Sequence, residues 1–431
     1  MADIDKAIDP EEQEELQVRN RTKGMDIEVD VTEEDPELES FEELEDGTIA
    51  FGNMPEPVDD TEFSANLADL MDDSDLNSLK NDLMGNIDAD KDSRSDWEKT
   101  YKDGLEYLGM KYEERSQPFE GASGVMHPLL AESVTQFQAQ AYNELLPSQG
   151  PVKTQVLGMT TPDSEAQASR VQEFMNYQLM QIMKEYDPET DQMLFYLPLS
   201  GSAFRKVYYD QNLGRAVSKF IPSEDLIVPY AATDLHSATR ITHVINMSIN
   251  DIKKLQQIGF YSDVDVDSGN MLASDTDGIQ EEIDELQGVS PSYNDDDTCK
   301  VYEIHTELDI PGYEDLNAEG EETGIKLPYI VTIANNKVLS VRRNYREEDP
   351  LKQRINYFVH YKFLPGLGFY GFGLTHMIGG LSKASTSILR QLIDAGTLSN
   401  LPAGFKARGI RIRNDDQPLQ PGEFRDMDAP G

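Results

Sequence analysis

Residues 356–413 decide the fold, because four kinds of local pattern follow one another there. They read NYFVHYKF (356–363), LPGLGFYGFG (364–373), LTHMIGGLSKASTSILRQLIDAGTL (374–398) and GFKARGIRIR (404–413). These patterns predict an aromatic strand, a glycine-rich corner, a long helix and a basic strand. The order suggests a rod that packs beside copies of itself rather than a catalytic pocket.

Apolar residues recur along the helical segment with a period near 3.6, which places them in one stripe. The stripe consists of Leu374, Met377, Ile378, Leu381, Ile388, Leu389, Leu392 and Ile393. At 1.5 Å per residue the helix is about 37 Å long. We expect the stripe to pack on neighbouring subunits and to be partly uncovered in an isolated monomer.

The chain of 431 residues is long enough for two or three domains with buried cores. A single cysteine, Cys299, allows no internal disulfide and fits a reducing compartment. The first ten residues, MADIDKAIDP, have neither the basic nor the apolar region of a secretory signal. No run of about 18 apolar residues occurs, so we expect no transmembrane helix and no membrane partner.

The net charge of −44 is concentrated in two segments. Residues 1–75 hold 27 acidic and four basic residues, and residues 261–324 hold 20 acidic residues and one basic residue. The rest of the chain is nearly neutral, and residues 337–413 carry a net charge of +9. The local basic patch therefore says more about the working surfaces than the total does.

Alternating hairpin and helix patterns predict an α+β fold built from helices and antiparallel strands. We assign residues 1–75 to an acidic, mostly disordered arm and residues 76–365 to a main domain with an acidic insertion at about 261–297. Residues 366–398 form a hinge and a helix, and residues 399–431 begin a further small domain. Within the main domain we predict a strand at 152–158, a helix at 165–186 capped by Asp163 or Ser164, and a helix capped by Ser95 or Asp96.

Three glycines of the corner, Gly366, Gly368 and Gly371, match the G-x-G-x-x-G pattern of dinucleotide-binding sites. Pro365 precedes them, bulky aromatic residues stand between them, and the acidic residue about 20 positions on, Asp394, falls late in the same helix. Together with Gly373, these glycines better fit a sharp turn and close packing at the helix entry. A nucleotide-binding enzyme that uses the corner is therefore a remote alternative.

Other catalytic and metal-binding patterns are incomplete, and we expect neither a cofactor nor an enzyme. Asp263, Asp265 and Asp267 imitate the start of a calcium loop, but Ser268 and Ser274 stand where glycine and glutamate belong. Asp88, Asp90 and Asp92 fail in the same way, and the six histidines lack zinc-ligand spacing. We expect His243, His305 and His360 to be ordinary residues of strands. Ser200 and Ser202 lack both a G-x-S-x-G setting and an assignable base.

The basic strand at the end of the opening stretch contains Lys406, Arg408, Arg411 and Arg413. Two interpretations stay open: an edge strand protected by charge, or a contact with phosphate or an acidic partner.

Several long segments resemble the portal proteins of short-tailed double-stranded DNA bacteriophages. FEGASGVMHPLLAESVTQFQAQAYNELLPSQGPVKTQVLG (119–158), RVQEFMNYQLM (170–180), LPLSGSAFRKVYYD (197–210) and FIPSEDLIVPYAATDLHSATRITHV (220–244) are similar to the wing region of that family. Residues 369–409 look like a portal stem helix that passes into the clip. The similarity extends over roughly residues 76–413 and rests on the length and order of segments, because no short signature is present.

This resemblance implies a non-enzymatic ring, usually of twelve subunits, at one vertex of the capsid of the virion. It implies assembly in the host cytoplasm, docking of the terminase large subunit on the clip and of adaptor and tail proteins later, and outer contacts with scaffolding and major capsid proteins. Double-stranded DNA would pass through the ring non-specifically. Portals continue beyond the clip with a second stem helix, a channel loop and a crown, which we expect to lie outside this sequence.

Under this resemblance the basic residues of the stem and clip acquire expected roles. Lys383 and Arg390, seven residues apart and so on nearly one helix face, are candidate channel contacts to DNA. Lys406, Arg408, Arg411 and Arg413 are candidate contacts to the terminase. An alternative is an acidic interaction scaffold of a virion or assembly complex, in which the arm binds a basic partner.

Overall fold

The computed structural model describes residues 63–110, 114–117, 119, 121–210, 213–266, 278–289, 298–315 and 322–400. All of them lie within one compact unit, Pro57–Gly431. Nearly all of the predicted arm and the basic residues Lys406, Arg408, Arg411 and Arg413 lie outside the described residues. Within these residues the chain is a mixed α+β protein with antiparallel sheets, as the sequence predicts.

The described helices, in chain order, are α1 Asp73–Ser93, α2 Ser95–Glu106, α3 Leu129–Leu145, α4 Pro162–Tyr177, α5 Tyr186–Ser200, α6 Ile249–Gln257, α7 Gly278–Gln287 and α8 Leu374–Asn400. The described strands are β1 Ser202–Asp210, β2 Arg215–Ile221, β3 Leu226–Ile227, β4 Arg240–Ser248, β5 Thr298–Leu308, β6 Leu327–Ala334, β7 Lys337–Arg343 and β8 Phe358–Lys362.

The described strands form two antiparallel sheets. One has the order β2-β1-β8, and the other has the order β3-β4-β5-β6-β7. Asn335 and Asn336 adopt positive φ angles of 44° and 64° between β6 and β7, as the predicted asparagine turn requires. The free edge of β7 is covered by the segment before α1, because the Asn66 side chain bonds the backbone of Leu339 and Val341.

A charged cluster joins the two sheets. The Lys206 ammonium on β1 contacts the Glu303 carboxylate on β5 at 2.6 Å, and the His305 Nε2 atom lies 2.8 Å from the same carboxylate. Attraction to Lys206 and hydrogen bonding with His305 hold the pKa of Glu303 well below its usual range, against the opposing effect of burial. Burial lowers the pKa of the neighbouring His243 to about 3, so this ring is neutral at neutral pH.

Three local predictions are wrong. Residues 152–158 form no strand: the side chains of Asn176 and Gln172 on α4 bond the backbone of Val152 and Thr154 instead. The α4 cap is Thr161, in a capping box with Ser164, and α4 ends at Tyr177 in a π turn, Gln178–Ile182. Neither Ser95 nor Asp96 caps α2: the helix begins at Ser95, and its N-cap residue, Arg94, makes no side-chain cap hydrogen bond.

The described parts of the predicted acidic insertion pack on the body. Tyr261 and Val266 are buried against β5 and β7, and Ile279 of α7 is buried beside α2. Lys102 of α2 pairs with Glu282 of α7 at 3.6 Å. This segment therefore contributes to two hydrophobic cores, although its sequence is dominated by acidic residues.

Candidate interaction surface: the glycine corner and helix α8

The glycine corner lets two backbone segments approach closely at the entry of α8. A Cβ atom on Gly371 would lie 2.4 Å from the Gly201 carbonyl oxygen, and one on Gly373 would lie 2.6 Å from that of Leu199. Gly201 ends α5 with a φ of +84°, which favours glycine. The end of α5 and the start of α8 are thus in backbone contact, as the close-packing interpretation of these glycines predicts.

The remaining corner glycines have different surroundings. A Cβ atom on Gly366 would meet the Tyr370 carbonyl oxygen at 2.5 Å, whereas nothing lies within 4 Å of one on Gly368. Strand β8 is an edge strand of an antiparallel sheet, and the Gly371 amide donates to the Ser202 hydroxyl at 2.9 Å. The antiparallel setting of β8 therefore differs from the parallel strand that leads into a dinucleotide site, and the Gly371 amide is already engaged.

Aromatic residues fasten the corner to the body on both sides. The Phe369 ring stacks on His360 at 4.7 Å and on Phe204 at 5.8 Å between centroids. The Tyr370 ring stacks on Trp97 of α2 at 4.4 Å. The Arg94 guanidinium lies 3.5 Å from the Tyr370 hydroxyl and also donates to the carbonyl groups of residues 223, 224 and 226. Phe369 and Tyr370, two of the bulky aromatic residues between the glycines, therefore hold the corner against the body.

The structure brings a base to one of the two serines considered in the sequence, which the spacing did not reveal. The His360 Nε2 atom lies 3.1 Å from the Ser202 hydroxyl oxygen. Ser202 is fully buried, however, and burial lowers the pKa of His360 to about 3. The Ser202 hydroxyl also accepts a hydrogen bond from the Gly371 amide, so the pair supports the corner.

Helix α8 has two opposite faces of different chemistry. The residues that it buries against the body are small or polar: Thr375, Gly379, Ser382, Thr386 and Asp394. The apolar residues on the other side are exposed, with exposed fractions of 57% for Met377, 61% for Leu381, 66% for Ile388 and 69% for Leu392. Leu374 and Ile378, in the first two turns of the helix, pack on the core beside α2 and α3. The predicted stripe therefore exists, and most of it is uncovered by the described residues.

The first two turns of α8 lie against the end of α2. A Cβ atom on Gly104 would lie 2.5 Å from the Thr375 hydroxyl, and one on Gly379 would lie 3.3 Å from the Tyr107 ring. The Thr375 hydroxyl itself donates to the Leu199 carbonyl at 2.9 Å. Small residues therefore set the distance between α8 and the body.

Lys383 and Arg390 both line an open groove of about 610 Å³ along the body side of α8. The exposed Lys383 ammonium lies 3.3 Å from the Tyr107 hydroxyl and 5.5 Å from the centre of that ring. The half-buried Arg390 donates from Nε to the Val125 carbonyl at 2.7 Å. The two residues share a face, as the spacing predicts, and that face lies opposite the apolar stripe.

Helix α4 is a second helix with exposed apolar residues. It has no buried residue, and Val171, Phe174, Met175 and Tyr177 are all exposed. Its polar contacts are mainly to the extended residues 152–154. It is thus a second candidate contact surface.

The described residues hold no group of three or more histidine, cysteine or acidic residues arranged to bind a metal ion. Asp90, one of the residues of the calcium-like pattern, pairs with Arg240 at 2.6 Å. Of the helices that the structure describes, none combines the length and apolar character needed to cross a lipid bilayer.

Comparisons with known proteins do not assign the chain to a family. No protein-family model matches it. No curated protein matches it at a significant level.

Proposed function

We propose that this chain is a subunit of a bacteriophage portal, a ring at one capsid vertex through which double-stranded DNA is packaged and ejected. The observation that carries the proposal is α8: a 27-residue helix, fixed at its entry, whose apolar side is exposed. A subunit that exposes such a stripe gains stability when a neighbouring copy covers it. The resemblance of residues 76–413 to portal segments supports the same function.

The charge distribution is compatible with a DNA channel. A protein that neutralises many phosphates binds DNA tightly and in a salt-dependent way, which would oppose sliding. Outside residues 1–75 and 261–324 the chain is nearly neutral, so this adhesion would be weak. We retain Lys383 as a candidate phosphate contact because its ammonium is exposed, and Arg390 as a weaker candidate because its Nε is engaged with Val125.

The proposal includes partners and excludes catalysis. The basic residues at 406–413 would meet the terminase large subunit, adaptor and tail proteins would follow, and the wing would meet scaffolding and major capsid proteins. ATP hydrolysis would belong to the terminase, and the ring would act in the virion after assembly in the host cytoplasm. The close packing of Gly371 and Gly373 disfavours the alternative of a nucleotide site in the corner.

Negative-stain microscopy of the full-length protein, together with light scattering, tests the proposal. We expect rings with a central hole, and monomers at high concentration would overturn the proposal.

A Leu381→Asp, Ile388→Asp variant should lose rings while its circular dichroism is unchanged, because both side chains are exposed in the monomer. Ser399→Asp, on an exposed position of the same helix, is the control for added charge and should still form rings.

A further inference from the structure

An extended segment, residues 121–127, runs beside the second half of α8, and we name it the strap. The strap and the helix are antiparallel. The His127 amide donates to the Thr386 hydroxyl at 3.0 Å, and Arg390 Nε donates to the Val125 carbonyl at 2.7 Å. The Ser123 amide donates to the Asp394 carboxylate at 2.7 Å. Every second strap residue is thus bonded by every fourth residue of the helix.

The spacing of these bonds follows from the geometry of the two elements. Two residues of extended chain advance about 6.6 Å, and four residues of α-helix advance about 6.0 Å. The two repeats stay in step over the three bonds. Because the helix contributes side chains and the strap contributes backbone groups, the contact depends on hydrogen-bond polarity rather than on apolar packing.

The donors and acceptors of the three bonds alternate. The amides of Ser123 and His127 need acceptors, whereas the carbonyl of Val125 needs a donor. A carboxylate such as Asp394 only accepts, and a guanidinium such as Arg390 only donates, whereas the hydroxyl of Thr386 can do either. The sequence of the helix thus matches the strap in the observed alignment.

A shift of the helix by one turn would break this match in either direction. In one direction Arg390 would face the Ser123 amide, which pairs a donor with a donor. In the other direction Asp394 would face the Val125 carbonyl, Arg390 would face the His127 amide, and Leu398 would face the Ser123 amide with no polar atom. Ser123 is buried, so an unmatched amide there is costly.

We propose that the strap is a register lock for the second half of α8, with Arg390 and Asp394 as the residues that hold it in the observed alignment beyond the fixed entry of the helix. The lock keeps the part of the apolar stripe that lies on this half in its observed position. It explains why a helix with an exposed apolar face carries an arginine and an aspartate four residues apart on its other face. The proposal concerns contacts within one chain and does not depend on the proposed function.

Hydrogen exchange of single amides in the purified chain tests the three bonds separately. In Asp394→Ala we expect the Ser123 amide to exchange at least about tenfold faster, with little change at His127. In Asp394→Asn, which keeps an acceptor oxygen, Ser123 should stay within about threefold of its original rate. Thr386→Val should release the His127 amide, whereas Thr386→Ser should not. Unchanged exchange at Ser123 in Asp394→Ala would overturn the proposal.

A distance measurement tests the register itself. Spin labels at the exposed positions Gln391 on α8 and Gln136 on α3, in a Cys299→Ala background, should give one distance in the otherwise unchanged chain. The Arg390→Gln, Asp394→Gln variant presents amides that can donate or accept at both positions. We expect it to populate a second distance, because the second half of α8, beyond the fixed entry, can then leave the observed alignment with the strap. Asp394→Asn should keep the single distance, and one unshifted distance in the double glutamine variant would contradict the lock.

Discussion

Helices α5 and α8 are both rich in apolar residues, but they bury opposite kinds of side chain. Helix α5 buries Met193, Leu194, Leu197 and Leu199 between the first sheet and α3. Helix α8 buries Thr375, Gly379, Ser382, Thr386 and Asp394 and exposes Leu381, Ile388 and Leu392. Helix α5 is therefore held in the fold through the hydrophobic effect, whereas much of α8 is held through hydrogen bonds and close backbone contacts. The apolar side of α8 contributes little to the fold of the monomer.

The largest expected effect on stability comes from a buried leucine of α5. Leu194 is 1% exposed, so Leu194→Ala should lower the free energy of unfolding by about 2–5 kcal/mol through lost burial and a residual cavity. Urea denaturation followed by circular dichroism measures the change. If Leu194→Ala and a leucine-to-alanine change on the outer face of α8 cost the same, the two helices would not differ as described.

The second effect concerns the contact through which α5 meets α8. Gly371→Ala should lower the free energy of unfolding by about 3 kcal/mol, because the new methyl group would lie 2.4 Å from the Gly201 carbonyl oxygen. Gly368→Ala is the matched control: it has open space for the methyl group, and we expect a change within about 1 kcal/mol. Thermal denaturation of both variants measures the two losses of stability. Equal small losses would show that the backbone of the corner can shift to accommodate the methyl group.

Sequence patterns identified the elements around this corner but not how they are attached. The strand, the corner and the helix at residues 356–398 were predicted within a few residues, because aromatic alternation, glycines and a 3.6-residue period are local signals. The strap contacts of Arg390 and Asp394 were missed, because they join residues about 270 positions apart and involve backbone atoms that carry no sequence signal. His360 beside Ser202 was missed because the contact joins residues of two strands that lie 158 positions apart in the chain. The predicted strand at 152–158 failed because α4 side chains replaced a partner strand.

Acidification should lower the free energy of unfolding through two buried histidines. His243 and His360 have pKa values of about 3 in the fold, below the ordinary value of 6.5, because burial disfavours the charged ring. The unfolded chain therefore binds their protons first, so their contribution to stability is complete above about pH 6.5 and is lost as the pH falls toward 3. At pH 5 each of these histidines should lower the free energy of unfolding by about 2 kcal/mol relative to pH 7.5. Urea denaturation at both pH values measures this difference. His360→Gln should reduce this pH dependence, and an unchanged difference between the two pH values in that variant would contradict the assignment.

The smallest expected effect is on the outer face of α8. Leu381→Ala and Ile388→Ala should each change the free energy of unfolding of the monomer by no more than about 0.5 kcal/mol, because both side chains are already mostly exposed. Urea denaturation at a concentration where light scattering shows monomers measures this, beside Leu194→Ala as the positive control. Losses near 2 kcal/mol would mean that the stripe is covered within its own chain. Near-zero losses in the monomer combined with weaker self-association would assign the stripe to contacts between copies, which is the role that its exposure predicts.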